Sequence, residues 1–241
     1  MIAGNIHQLF IISYQVLETE FNIRGFIIQL ELSDILLSVP VLIQILDLFG
    51  TMAFAVTGAF KAIEHKSDIV GIIILSTITG VAGGVIRDII FGKFPPTVVI
   101  NPLYLVVTVV TAIVIFILYP SIKIHWNLFL KFDAIGLGVF TVIGASIAYN
   151  IFGLNFLTMA FAGVLTAVGG GILRDVFVNE VPLVFVKELY ASTSFIGVVI
   201  LFVMLVMGIN LYSATIPSIL AVTSIRLLAM KYNWNLPRAR T

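Results

Sequence analysis

Long apolar stretches separated by short polar turns make up most of the chain after residue 40. A helix that crosses a bilayer needs about 20 predominantly apolar residues, and seven stretches are long enough. They cover residues 41–63, 68–91, 102–120, 132–150, 155–178, 187–209 and 212–230. Polar or proline-containing segments separate them, such as residues 64–68 and the longer connection 119–131. The pattern predicts an all-α membrane protein with seven transmembrane helices.

The first 40 residues do not follow this pattern. Charged residues, Glu18, Glu20 and Arg24 among them, interrupt their apolar runs. We therefore predict that residues 1–40 form an N-terminal extension that is interfacial or poorly ordered, and an additional span is the alternative. At the other end of the chain, residues 232–241 are predicted to form a cytoplasmic tail.

The two halves of the chain carry the same two motifs. The first, D-x-x-G-x-x-x-F-x-x-x-G, occupies residues 47–58 and recurs 86 residues later at 133–144. The second, T-x-x-x-G-G-x-x-R-D-x-x-x-x-x-x-P, occupies residues 79–95 and recurs 87 residues later at 166–182. An internal repeat of this kind is typical of a duplicated structural unit.

The repeat also predicts how the two copies are oriented. Each copy contains three predicted spans, in residues 41–120 and in residues 132–209. Because three is an odd number, the second copy must enter the membrane from the opposite side. The copies are then related by a two-fold axis in the membrane plane, an arrangement common in transporters. The seventh helix, 212–231, lies outside the repeat.

Lysine and arginine are unevenly distributed over the two sides that seven spans define. One side receives most of them, including Lys61, Lys66, Lys231 and Arg238. Cytoplasmic loops of membrane proteins carry the excess of these residues. We therefore expect a multi-pass protein of the cell membrane with its N-terminus outside and its C-terminus in the cytoplasm.

Composition narrows the function further. Hydrophobic residues make up 60% of the chain and charged residues 10%, whereas soluble domains carry about 25% charged residues. A net charge of +1 argues against a nucleic-acid partner. The sequence lacks phosphate-loop, metalloprotease and hydrolase motifs. We expect neither an enzyme nor a cofactor.

Metal-binding residues are scarce. The chain has no cysteine, and its three histidines, His7, His65 and His125, are isolated from one another. No metal is therefore expected beyond transient monovalent cations.

The double glycines of the second and fifth spans are the first candidate site. Gly83-Gly84 and Gly170-Gly171 lie deep inside apolar segments, with Thr79 and Thr166 one turn before them. Small residues let helices pack closely, but paired glycines also cause sharp bends. A bend would free backbone carbonyls for a dehydrating cation, and the threonine hydroxyls would add oxygens. Tight packing and a kinked ion pathway both stay open, as does bonding of each threonine within its own helix.

Charges inside the spans are the second candidate site. Arg87-Asp88 and Arg174-Asp175 follow the double glycines, and the first motif of each copy begins with an aspartate, Asp47 or Asp133. Charges at membrane depth are costly and usually functional. Adjacent helical residues diverge by about 100°, so each arginine has its neighbour or the earlier aspartate as a partner. The charges either form ion pairs that hold the copies together or line and gate a passage.

The remaining candidate residues are Lys61, Tyr104 and Tyr190. Lys61 has no counterpart in the second copy, where Ile147 occupies the matching position. It either snorkels to the cytoplasmic interface or points into the passage and tunes selectivity or gating. Tyr104 and Tyr190 recur early in the third span of each copy, where we expect them to anchor the helices at the membrane interface.

The doubled motif resembles that of the prokaryotic members of the TRIC family, the trimeric intracellular cation channels. The same prokaryotic group is also described as a glycine-transporter domain. The resemblance covers residues 45–237 and includes Arg226 and Asn235-Leu-Pro237 near the end of the chain.

The resemblance implies a homotrimer in membrane lipid, with one pore in each protomer. Helices two and five would kink at Gly83-Gly84 and Gly170-Gly171 to shape the pore, which would conduct monovalent cations, chiefly potassium. The alternative is a secondary transporter for glycine or a similar small zwitterion, with Asp47 or Asp133 as counter-charge. Inverted repeats serve both channels and carriers, so the residue spacing does not separate the two.

Overall fold

The computed structural model describes residues 41–121, 125–186, 189–232 and 234. Within these ranges the regular structure is entirely helical, with nine α-helices and one 3-10 turn, Tyr119–Ser121. The α-helices are α1 Val41–Glu64, α2 Ile69–Ile90, α3 Thr97–Ile100, α4 Leu103–Leu118, α5 His125–Phe152, α6 Phe156–Phe177, α7 Leu183–Val186, α8 Tyr190–Val206 and α9 Leu211–Tyr232. The predictions for residues 1–40 and for most of 232–241 lie outside the described residues.

Six of these helices are long and apolar enough to cross a membrane: α1, α2, α4 with its 3-10 extension, α5, α6 and α9. Helix α8 is apolar but has only 17 residues, which corresponds to about 25 Å of helix against about 30 Å of hydrocarbon. The all-α fold of a multi-pass membrane protein is therefore present, while the count of seven spans remains a prediction.

One predicted boundary is clearly wrong. The sequence pattern placed residues 119–131 in a loop and began the next span at 132, but α5 begins at His125. The reason is tertiary, since Phe129 is only 1% exposed and stacks against Trp126 with 5.1 Å between ring centroids. Because Lys131 and other polar residues lie close to Phe129 in the sequence, the mean hydropathy of this segment is low and does not reveal the buried ring.

The sixth predicted span is also shorter than expected. Residues 187–209 were predicted to be helical, whereas α8 runs from Tyr190 to Val206. Gly208 follows with a φ of +81°, a left-handed conformation that glycine adopts without steric penalty. The glycine therefore ends the helix inside an apolar stretch that hydropathy alone would continue.

Side-chain caps set several helix starts. Asp68 accepts a hydrogen bond from the Gly71 amide at 2.8 Å at the start of α2. Asn155 accepts from the amides of Leu157 and Thr158 at 3.1 and 3.2 Å at the start of α6. Such caps satisfy amides that have no partner within the helix, so the short polar connections 65–68 and 153–155 bring consecutive long helices side by side.

The first repeated motif forms reciprocal contacts between α1 and α5. The rings of Phe54 and Phe140 lie 5.3 Å apart. A methyl group at Gly136 would lie 2.5 Å from Phe54, and one at Gly50 would lie 3.2 Å from Phe140. In each copy the glycine thus makes room for the phenylalanine of the other copy, which explains the D-x-x-G-x-x-x-F spacing as a packing device.

The second repeated motif brings the backbones of α2 and α6 into contact. A side chain at Gly83 would collide with the carbonyl oxygen of Thr166, and one at Gly170 would collide with that of Thr79. Close packing, one of the two interpretations of the double glycines, is therefore observed at Gly83 and Gly170. The helical assignment continues through the glycines of both helices, and a kink there remains a prediction.

The second glycine of each pair has a different environment. The nearest atom to a methyl group at Gly84 is Arg87 Nη2 at 3.6 Å. At Gly171 the nearest atoms are the Tyr190 hydroxyl oxygen at 3.0 Å and Arg174 Nη2 at 3.7 Å. These glycines therefore leave space for the arginine side chains one turn later and do not contact the facing helix.

The two glycines of α2 are expected to respond differently to substitution. Gly83→Ala should lower stability by about 1–3 kcal/mol, because the methyl group must push α2 and α6 apart. Gly84→Ala is the matched control and should be neutral or slightly stabilising, since alanine favours the helix by about 1 kcal/mol. Thermal unfolding of the purified proteins in detergent measures both, and equal midpoints would contradict the packing role of Gly83.

Candidate functional site

The first charge cluster joins α1, α2 and α4. Arg87 donates from Nε and Nη2 to Asp88 Oδ1 at 3.0 and 2.8 Å. Its Nη1 lies 3.8 Å from Asp47 Oδ1, beyond hydrogen-bond distance. The Tyr104 hydroxyl donates to Asp47 Oδ2 at 2.6 Å. The guanidinium thus lies between two carboxylates, and Nη1 has no hydrogen-bond partner among the described residues.

Asp88 also holds the short helix α3 in place. Its Oδ2 accepts hydrogen bonds from the Thr97 amide at 2.8 Å and from the Thr97 hydroxyl at 2.5 Å. A carboxylate is favourable at the start of a helix because the first amides there lack partners. One aspartate therefore neutralises the arginine and positions the connection that leads to α4.

The second charge cluster has the same plan in the other half. Arg174 Nη1 donates to Asp133 Oδ1, and Nε donates to Asp175 Oδ1, both at 2.8 Å. Asp175 Oδ2 accepts from the Leu183 amide at 2.9 Å, so it positions α7 as Asp88 positions α3. The adjacent and the longer-range pairing that the sequence left open both occur here.

One contact of the second cluster crosses between the repeats. Arg174 Nη1 also donates to the Thr57 hydroxyl of α1 at 2.9 Å. Asp47 of the first cluster lies on the same helix, ten residues earlier, which corresponds to about 15 Å along the axis. The two clusters therefore lie at different depths along α1.

Solvent access distinguishes the two clusters. The first borders a narrow cleft, partly open to the outside, whose lining includes Asp47, Arg87 and Tyr104. Within that cleft the enclosed space holds about one water molecule. The second cluster is sealed, since Arg174 is 0% exposed and its guanidinium lies 4.7 Å from the ring centroid of Phe129.

Each cluster has a further cation nearby. Lys93, in the connection after α2, is close enough for Asp88 to act on its charge, and partial burial lowers the pKa of its ammonium group. In the second half, the Arg226 guanidinium of α9 lies 4.8 Å from the ring centroid of Tyr190. The added cation thus comes from a loop in one half and from the last helix in the other.

The prediction for the repeated tyrosines was wrong. Tyr104 and Tyr190 are 6% and 3% exposed, and they lie inside the protein beside Asp47 and Asp133, where they cannot contact lipid headgroups. The available signal was their spacing, because they recur 86 residues apart, like the aspartates that they approach.

Lys61 is buried instead of snorkelling into water. It is 3% exposed, and its ammonium lies 2.6 Å from Glu180 Oε2 in the connection between α6 and α7. The other oxygen of Glu180 lies 3.3 Å from His65 Nε2. Sequence reasoning missed both partners, although Glu180 occupies the position that matches Lys93 in the first copy.

The threonines beside the glycines differ in their bonding. The Thr79 hydroxyl donates to the Leu75 carbonyl within its own helix at 2.6 Å. The Thr166 hydroxyl is buried and makes no hydrogen bond within the described part of the chain. The same ranges contain no group of three or more histidine, aspartate or glutamate side chains placed to hold a metal ion.

These features define a helical multi-pass membrane protein built from two matched halves, each with a buried arginine between two aspartates. The family model described as "Glycine transporter" matches residues 44–120 and 130–205, one segment in each half. The chain belongs to this family, to which the prokaryotic TRIC proteins also belong.

Relatives of similar length are bacterial membrane proteins. A UPF0126 membrane protein of Vibrio cholerae is 34% identical over 197 residues, which cover 81% of this chain and 82% of that protein. The UPF0126 inner membrane protein YadS of Escherichia coli K12 is 34% identical over 199 residues, which cover 81% of this chain and 95% of YadS.

Solved structures with the same fold are TRIC channels. One TRIC cation channel, studied for its conductance, has 37% identity and a TM-score of 0.73, and the match covers 82% of this chain and 97% of the other. The TRIC orthologue from Rhodobacter sphaeroides has 30% identity and a TM-score of 0.77, and the match covers 80% of this chain and 100% of the orthologue.

The two arginines are expected to differ in their effect on stability. Arg174→Met removes the cation that bonds to both Asp133 and Asp175 in a sealed site and should cost about 3–5 kcal/mol. Arg87→Met, the matched change, should cost less because the cleft lets water reach the uncompensated carboxylates. Unfolding in detergent with increasing denaturant compares the two, and an equal or larger loss for Arg87→Met would contradict the difference in burial.

Proposed function

We propose that this protein is a channel for monovalent cations, chiefly potassium, with one pore in each protomer of a homotrimer. The observation that carries the proposal is its likeness to TRIC cation channels, at 37% identity and with 97% of that channel covered. Potassium ions and membrane lipids are then the partners. Exposed apolar side chains suit contact with lipid or with neighbouring subunits. Examples are Val106 and Val110 on α4, which are 54% and 53% exposed, and Val203 on α8, which is 47% exposed.

The proposed topology has seven spans, with α8 as the sixth, in two inverted copies followed by α9. The reciprocal contacts support this proposal, because each phenylalanine packs on the glycine of the other copy. The contact between His65 and Glu180 supports the alternation of sides, since it requires the connections 65–68 and 178–182 to lie on one side of the membrane. We assign that side to the cytoplasm, together with the C-terminus.

The proposed pathway follows the crossing of α2 and α6. Its central lining is Thr79, Gly83, Gly84, Thr166, Gly170 and Gly171. The fixed charges nearby are Asp47, Lys61, Arg87, Asp88, Asp133, Arg174 and Asp175. Because the helices touch at Gly83 and Gly170, the described conformation corresponds to a closed path. Opening then needs the two helices to separate or to bend at the glycines.

A glycine carrier is the second candidate, favoured by the description of the matching family. The carboxylate of a zwitterion would suit Arg87 Nη1, which lacks a hydrogen-bond partner among the described residues, and its ammonium would suit Asp47. The cleft between them holds about one water molecule, whereas glycine has five non-hydrogen atoms. This space suits a cation or its hydration water without rearrangement, and a carrier would have to open considerably.

Single-channel recording in planar bilayers with potassium on both sides tests the proposal. Discrete currents of picoampere size would establish the channel, because a carrier, like an enzyme, completes about 1–1,000 cycles per second. Silence in bilayers where a control channel conducts, combined with saturable uptake of labelled glycine into liposomes, would replace the channel with the carrier.

The kink proposal has its own test in Gly84→Ala. This change stiffens α2 without a collision, because the nearest atom to the new methyl group is 3.6 Å away. We expect potassium flux to fall while the assembly stays intact by size-exclusion chromatography. Val70→Ala, on the exposed face of the same helix, is the control. Unchanged flux in Gly84→Ala would refute a bend at this position.

A further inference from the structure

A three-residue contact joins the two halves at the C-terminal end of α1. Lys61 and His65 come from the end of α1, and Glu180 comes from the connection between α6 and α7. The two carboxylate oxygens of Glu180 face different partners: Oε2 lies 2.6 Å from Lys61 Nζ, and Oε1 lies 3.3 Å from His65 Nε2. One carboxylate therefore bridges two nitrogen groups on the other half of the protein.

Glu180 is the main counter-ion of a buried ammonium group. Lys61 Nζ lies 5.4 Å from the ring centroid of Trp126 and 5.6 Å from that of Phe129, both at the start of α5. Glu64 is more distant, at 3.9 Å. Because a buried charge is unfavourable unless it is paired, displacement of Glu180 would require Lys61 to move toward water or toward Glu64.

The hydrogen-bond partners of His65 determine in which protonation state its ring bonds to Glu180. His65 Nδ1 lies 2.9 Å from the Lys61 carbonyl oxygen, which only accepts hydrogen bonds, so Nδ1 carries a proton. In a neutral ring Nε2 then has a lone pair that faces the Glu180 carboxylate, and the two acceptors repel each other. Only the doubly protonated ring donates to Glu180 from Nε2.

The charged groups around His65 come from three parts of the chain. They are Lys61 and Glu64 of α1, Lys66 and Asp68 of the following turn, and Glu180 of the facing connection. Asp68 is engaged by the Gly71 amide at the start of α2. Glu180 is thus the carboxylate that accepts the hydrogen bond from His65 Nε2 when both ring nitrogens carry a proton.

This contact is not part of the repeated framework. The positions that match Lys61 and Glu180 in the other copy are Ile147 and Lys93, so the equivalent ion pair has no counterpart there. The Arg-Asp pairs and the glycine contacts, in contrast, occur in both halves. The framework that both halves share therefore does not include this contact.

We propose that Lys61, His65 and Glu180 form a proton-responsive latch that closes one end of the pathway. Protonation of His65 adds a second bond from α1 to Glu180 and holds the connection between α6 and α7 against α1. Loss of that proton leaves Lys61 as the one cation on Glu180 and introduces repulsion from the His65 lone pair. Acidic pH therefore favours the closed latch, and neutral or alkaline pH favours release of Glu180 from α1. The role of the latch in closing the pathway rests on the proposed cation-channel function.

The main test compares potassium efflux from liposomes at about pH 5.5 and about pH 7.5, on either side of the usual histidine titration. In the unchanged protein we expect about fivefold lower flux at the acidic pH, because the second bond to Glu180 exists only when the ring is doubly protonated. His65→Gln should abolish this pH dependence. His7→Gln is the matched control and should retain it.

A second measurement separates failure of the latch from failure of the channel. Thermal unfolding in detergent at the same two pH values needs no transport. The midpoint of the unchanged protein relative to His65→Gln should be higher at the acidic pH, because the extra bond to Glu180 exists only there. If no protein conducts but this difference is present, the channel proposal fails and the proton-responsive contact stands.

Variants at Glu180 complete the test. Glu180→Gln strands the buried Lys61 and is expected to destabilise the protein, so Lys61→Met/Glu180→Gln removes both charges together. This double variant should fold and show the same flux at both pH values. Identical pH profiles of flux and of unfolding in the unchanged protein and His65→Gln would overturn the latch, and so would a pH dependence that persists in the double variant.

Discussion

Helices α2 and α6 cross with their backbones in contact, because Gly83 faces the carbonyl oxygen of Thr166 and Gly170 faces that of Thr79. Any side chain at these two glycines would separate the helices. The Arg-Asp pairs follow one turn later on each helix, so the crossing determines where both guanidinium groups lie. The aspartates in turn hold the short helices α3 and α7, and the connections to α4 and α8 depend on the same contact.

Chemically similar clusters have acquired different surroundings in the two halves. Both place an arginine between two aspartates, with a tyrosine beside the first aspartate. The first cluster borders a cleft, whereas α5 covers the second through Phe129. Loss of one partner of a buried ion pair strongly destabilises a protein, because the other charge is left buried and uncompensated. The sealed cluster therefore suits a structural role. The first cluster has room beside it for about one water molecule.

Charges in the connections after α2 and α6 differ between the halves as well. Lys93 and Glu180 occupy matching positions, and each lies near a charge of opposite sign. The charge at this matching position therefore has opposite sign in the two halves. The duplicated helical scaffold therefore combines matching glycine contacts in both halves with different charges in its connections.

The sequence by itself determined the all-helical membrane fold, the duplication and the position of Arg87-Asp88 and Arg174-Asp175 inside apolar segments, because hydropathy and motif spacing are local properties of the chain. It did not predict that α5 begins at His125, that Tyr104 contacts Asp47, or which glycine of each pair touches the facing helix. Only the tertiary structure decided these points, together with the pairing of Lys61 and Glu180 across 119 residues. The physical reason is that the partner of a buried charge, and the space beside a glycine, are set by segments distant in the chain.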